Sequence, residues 1–116
     1  MSDFPSQMEA LARDAGARAA VVLERSGIDV ASWGDADSET AAAEFGELWR
    51  QLRTAGAVRA PGELRSLEIV GSEGAWVAVP VGEDYVVALL TGPGTAPGRA
   101  RFFAAQWAAA HRGEFA

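Results

Sequence analysis

The chain has no cysteine and no lysine, and only one histidine and one tyrosine among its 116 residues. Without cysteine there is no disulfide framework, no thiolate metal centre and no thiol nucleophile. All 10 positive charges are arginines, set against 16 acidic residues, and the formal net charge of −6 leaves no basic stripe of the kind phosphate-backbone binders use. Nucleic acid is therefore not an expected partner. No apolar run approaches the ~20 residues of a membrane span, so none is expected. The opening Met1-Ser2-Asp3-Phe4-Pro5 has neither a basic n-region nor an apolar h-region, so no secretory leader is expected and the cytoplasm is the expected location. His111 has no second histidine to work with, and Ser26, Ser32, Ser66 and Ser72 sit in no G-x-S-x-G elbow. These residues point to no enzyme, no cofactor and no bound metal.

A composition of 49% hydrophobic and 22% charged residues is that of an ordinary globular protein. The length suits a single domain over 1–116, able to bury about two-thirds of its unfolded surface. Abundant alanine beside arginine as the sole strong base fits the coding bias of a GC-rich bacterial genome.

The most informative segment is Val21 to Gly34. An apolar run reaches the polar turn Arg25-Ser26-Gly27 and resumes as an alternating run, which reads as a β-hairpin. Before it, Phe4, Met8, Leu11, Ala12 and Ala15 recur at helical spacing, predicting a helix over Pro5–Ala15 that stops at Gly16. The first strand spans Ala17–Glu24 and is apolar enough to be covered on both faces. The second, Ile28–Trp33, sets Asp29, Ala31 and Trp33 on one face and Ile28, Val30 and Ser32 on the other. The cap-type residues from Asp35 to Thr40 open a helix over Ser38–Thr54. A loop over Ala57–Glu63 leads to a meander of three strands, Leu64–Val70, Ala75–Val81 and Tyr85–Thr91, with Pro80 near a strand end or bulge. A last helix spans Arg99–Arg112.

With that order, four segments resemble the Roadblock family of dynein light chains and small-GTPase regulators. Val21–Gly34 is similar to the family's first hairpin, with Glu24 where aspartate is more usual. Leu64–Val70 falls at its third strand, Val79–Leu90 is similar to its last hairpin, and Ala96–Arg101 to the glycine-containing start of its last helix. The tail after that helix lacks the extension some gliding-motility regulators carry. The resemblance implies an α/β (α+β) fold, a five-stranded antiparallel sheet flanked by helices in the order α-β-β-α-β-β-β-α. It also implies a homodimer made by antiparallel middle helices and edge-to-edge third strands, and a Ras-like GTPase as partner.

On this reading the dimer or partner interface is the stripe Ala41, Phe45, Leu48, Trp49 and Leu52 together with Leu67 and Ile69 of the third strand. An amphipathic stripe also serves simply to cover a sheet, but two aromatics and two leucines make a broad face, and tryptophan is enriched at interface hot spots. Arg50 and Arg53 flank the stripe as candidate GTPase contacts, one of them a candidate arginine finger. Pairing with Glu47, Glu39 or Glu44 is the plainer account of both. Asp35, Asp37 and Glu39 are sufficiently explained as helix-cap residues, and Gly92-Pro93-Gly94 as a loop before a helix. The leading function is thus a non-catalytic homodimeric regulator or scaffold for a bacterial Ras-like GTPase. The alternative is a small ligand-sensing domain of the PAS or GAF type.

Overall fold

The turn after Glu24 closes with a hydrogen bond from the Gly27 amide to the Glu24 carbonyl at 2.8 Å, and Gly27 takes a φ of 103°, which a side chain would resist. This turn joins β1 (Ala17–Glu24) to β2 (Ile28–Gly34) in the structure, a computed structural model that describes residues 3–115. Met1 and Ser2, which begin the segment read for a leader, and Ala116, the last residue of the short tail, lie outside the described residues. The remaining strands are β3 (Leu67–Gly71), β4 (Gly74–Val81) and β5 (Tyr85–Thr91). All five pair antiparallel, as the resemblance implied, and they lie in the order β2-β1-β5-β4-β3.

Helix α1 (Phe4–Ala15) starts where the Asp3 carboxylate accepts the Ser6 amide at 2.8 Å, and it ends at Gly16 in the left-handed conformation. Helix α2 (Ser38–Thr54) is capped by Asp37, whose carboxylate accepts both the amide and the hydroxyl of Thr40. Helix α3 (Pro97–His111) begins two residues earlier than its apolar pattern suggested, because proline is well suited to a first helical turn. A 3-10 turn over Arg112–Phe115 follows it. No described helix is long and apolar enough to cross a membrane.

The helices divide unequally. α1 and α3 cover one face, packing Met8, Leu11, Trp107 and Ala108 against Ala20, Val22, Val77, Val87 and Leu89. α2 alone covers the other, over Val21, Leu23, Ala78, Val86 and Ala88. Val21, Val22 and Leu23 are all buried, so β1 is sealed on both sides.

Two strand readings need correction. The expected alternation of β2 breaks at Val30, a bulge residue: Ala31 pairs with Val22, yet Asp29 pairs with Leu23. Asp29 therefore leaves the face of Ala31 and Trp33 and accepts a hydrogen bond from the Ser38 hydroxyl at the start of α2. β3 begins at Leu67, three residues later than expected. Continuing its register past the Leu67–Ala78 pair would set Arg65 against Pro80, which has no N–H to give to a ladder.

Candidate partner interface

α2 is built from two neighbouring stripes. At about 100° per residue, Ala42, Phe45, Gly46 and Trp49 point at the sheet, while Ala41, Leu48 and Leu52 lie along one flank. In the single chain Trp49 is 1% exposed and Phe45 4%, so both are spent on holding α2 to the sheet. Phe45 also meets the ring of Trp76 on β4 edge to face, at 5.2 Å between centroids. What α2 offers outward is the half-buried set Ala41, Leu48 and Leu52.

The sheet continues past the flank that carries these residues. α2 lies over β1 and β2, leaving the same face of β4 and β3 with no helix of its own. There Leu67 and Ile69 stand opposite Ala78 and Trp76, and Leu90 is the cross-strand neighbour of Trp76 on its other side. Leu67, Trp76 and Leu90 are half-buried, and Ile69 is 44% exposed. β3 is moreover an edge strand, so one side of its backbone ladder is unpaired within the chain. An apolar strip from α2 thus runs into a sheet edge. Of the residues expected at an interface, the structure gathers Ala41, Leu48, Leu52, Leu67 and Ile69 around this strip. Sequence reasoning missed Trp76 and Leu90, because their strands read simply as buried β-runs.

The opposite flank of α2 meets the hairpin tip. A Cβ on Gly46 would come within 2.9 Å of the Arg25 carbonyl and of the Gly27 backbone, so helix and turn touch backbone to backbone. Arg25 then lays its guanidinium over the Trp49 ring, 5.7 Å from the centroid. Burial, reinforced by the charge of Arg53, lowers its pKa from the ordinary arginine value.

Arg50 is engaged elsewhere. Its Nε donates to the Glu47 carboxylate at 3.2 Å, and Gln51 donates to the same carboxylate at 3.0 Å. These bonds hold the Glu47 carboxyl below its usual range and raise the Arg50 guanidinium above its own. The plainer account of Arg50 is the observed one. Arg53 has no such carboxylate among the described residues. His111 stacks on Trp107 at 4.2 Å, its Nδ1 2.9 Å from the Trp107 carbonyl, as a helix-end residue. Asp35 approaches Arg18 at 3.6 Å and Asp37 is the α2 cap.

Three helices on a five-stranded antiparallel sheet of this order define a Roadblock/LC7-type fold. A Roadblock/LC7 domain from Streptomyces avermitilis superposes with a TM-score of 0.86, covering 98% of this chain and 98% of that one at 19% identity. Myxococcus xanthus MglB does so at 0.84, covering 96% of this chain and 93% of that one at 16% identity. Profilin IB of Acanthamoeba castellanii reaches 0.75 at 13% identity, over 98% and 100% of the two chains. No family model matches the sequence, and no curated protein matches it either. The likeness is one of fold, and the fold is shared by proteins as different as MglB and profilin.

Proposed function

We propose that the chain is a non-catalytic homodimeric regulator or scaffold for a bacterial Ras-like small GTPase. The observation that carries this is the apolar strip on α2 continuing across Trp76, Leu67 and Ile69 to the unpaired edge of β3. A second copy related by a two-fold axis would cover its own strip with the same strip and pair β3 with β3, an isologous contact. Two α2 helices side by side then form a surface that neither chain has alone, and this surface is where a GTPase would dock. The fold it shares with MglB and with Roadblock/LC7 domains supports the reading. Met8, Leu89 and Trp107 pack together between the sheet and α1 and α3, which favours this reading over a ligand-sensing domain.

Sedimentation of the wild type and of Leu48→Glu and Ile69→Glu variants tests the dimer. The wild type should be a dimer and each variant a folded monomer, since neither residue is in the closed core. The Ras-like GTPase of the same organism, loaded with GDP or with a GTP analogue, should then bind the wild type in a nucleotide-dependent way. A wild type that is strictly monomeric and ignores every such GTPase would end this reading. If the complex hydrolyses GTP faster, Arg53→Ala separates a finger from a scaffold, because a trans-acting finger is worth about 10³–10⁵ in rate.

A further inference from the structure

The arginines divide into two groups. Arg13, Arg18, Arg50 and Arg101 each pair with a carboxylate, and Arg99 donates to the Asp14 carbonyl. Arg25, Arg53, Arg59, Arg65 and Arg112 form no ion pair and no side-chain hydrogen bond among the described residues, and all five line one open cleft of about 1540 Å³. The cleft lies at the C-terminal end of α2, between residues 59–65, the turn from β4 to β5 and the last turns of α3. Arg25 is the fixed member: it is held over Trp49, and its Nε is buried without a hydrogen-bond partner.

Helix ends account for part of this gathering, since Arg53 is in the last turn of α2 and Arg112 follows α3. They do not account for Arg25, Arg59 or Arg65. Glu63, Glu83 and Asp84 also line the cleft, but three carboxylates leave two guanidiniums in excess, in a chain whose net charge is −6. Leu52, Leu64 and Ala109 add apolar wall beside these charges.

We propose that this cleft docks an acidic polypeptide segment of a partner protein. Its carboxylates would meet the free guanidinium forks, whose planar geometry suits bidentate carboxylate binding, and its apolar side chains would rest on Leu52 and Leu64. Size favours a polypeptide over a small anion, because the cleft exceeds the ~300–1,000 Å³ typical of small-molecule sites. Shape disfavours a membrane, because the arginines line a concavity on an acidic protein. The cleft shares Leu52 with the dimer strip and Arg53 with the finger candidate, whereas Arg59 and Arg112, which the test changes, belong to neither, so the two readings can fail separately.

The test is fluorescence anisotropy of the full chain with a labelled peptide of alternating glutamate and leucine, and with its glutamine–leucine counterpart. The glutamate peptide should bind, increasingly weakly as salt rises, and the glutamine peptide should not. Arg59→Gln with Arg112→Gln changes two exposed residues, so the circular dichroism and elution volume should stay those of wild type. That pair should weaken binding about tenfold, the loss of roughly one charge-assisted contact. Arg25→Gln should weaken it by at least as much. Equal binding of the two peptides, no binding of the glutamate peptide, or indifference to the Arg59/Arg112 pair would overturn the proposal. So would displacement of the peptide by millimolar inorganic phosphate, or co-sedimentation with phosphatidylglycerol vesicles in preference to peptide binding.

Discussion

The two faces of the sheet meet the same covering problem with different amounts of helix. Strands lie about 4.8 Å apart, so five of them span roughly 19 Å, and one helix is about 10 Å across. Two helices, α1 and α3, close one face, while α2 alone can cover only about half of the other. The buried clusters reflect this: among the described residues, 17 belong to the α1/α3 side and 8 to the α2 side. The exposure of Ile69 and the half-burial of Leu67, Trp76 and Leu90 therefore follow from helix number. What two helices cover on one face, a single helix leaves partly open on the other.

That comparison makes its strongest demand on Trp49. If α2 is seated on the sheet by its own core, Trp49→Ala should destabilise the chain by about 3–5 kcal/mol, and Leu89→Ala on the closed face by about 2–5 kcal/mol. Ile69→Ala, on the open half, should cost below about 1 kcal/mol when measured on the dissociated chain, since little area is lost. Urea unfolding at low protein concentration gives all three. A Trp49→Ala variant as stable as Ile69→Ala would mean that α2 is only loosely held and that the two faces differ in some other way.

A smaller effect separates the two flanks of α2. Gly46→Ala gains about 1 kcal/mol of helix propensity but places a Cβ 2.9 Å from backbone atoms of Arg25 and Gly27, which cannot yield as a side chain can. Overpacking of this kind typically costs about 1–3 kcal/mol, so the net change should be destabilising. Ala41→Ser, on the flank facing the open sheet, should leave chain stability within about 0.5 kcal/mol. Thermal unfolding of the pair decides it, and a stabilised Gly46→Ala would show that the hairpin tip is not packed against α2.

Local signals were strong where they coincided with caps, turns and periodicity. Gly27, Gly16, Asp37 and the run Val21–Leu23 announced their elements because each acts through its own neighbours in sequence. The candidate interface was legible only in outline: the period of α2 marks one apolar stripe but does not divide it into a buried half and an outward half. Whether Phe45 or Leu48 lies outward depends on which side of the helix the sheet extends, and that is fixed by strand order. Trp76 and Leu90 were illegible for the same reason. The bulge at Val30 and the late start of β3 depend on cross-strand partners, which a single strand does not show. The five arginines of the cleft, spread from Arg25 to Arg112, come together only through the tertiary fold.

The mildest test of the comparison is acid. The Asp37 carboxylate accepts hydrogen bonds from Thr40 and the Asp3 carboxylate from Ser6, and these hold both carboxyls below the ordinary 3.8. A depressed pKa in the folded state means that the cap contributes fully above the ordinary value. Its contribution is lost as pH falls below 3.8 and through the folded value. The closed face should resist this better. α1 is also tied at its far end, where the Thr95 hydroxyl donates to the Gly16 carbonyl and Arg99 to that of Asp14. α2 ends instead in the irregular residues 55–66, and among the described residues the Ser38–Asp29 bond is the side-chain hydrogen bond that ties it to another element. Hydrogen exchange below about pH 4 should therefore deprotect the amides of Thr40 and Ala41 at a higher pH than those of Ser6 and Gln7. Asp37→Asn, which can still cap but does not titrate, should abolish the pH dependence at Thr40 and leave that at Ser6 unchanged. Simultaneous loss at both helix starts would show that the two faces are equally well anchored, and the distinction between them would then rest on area alone.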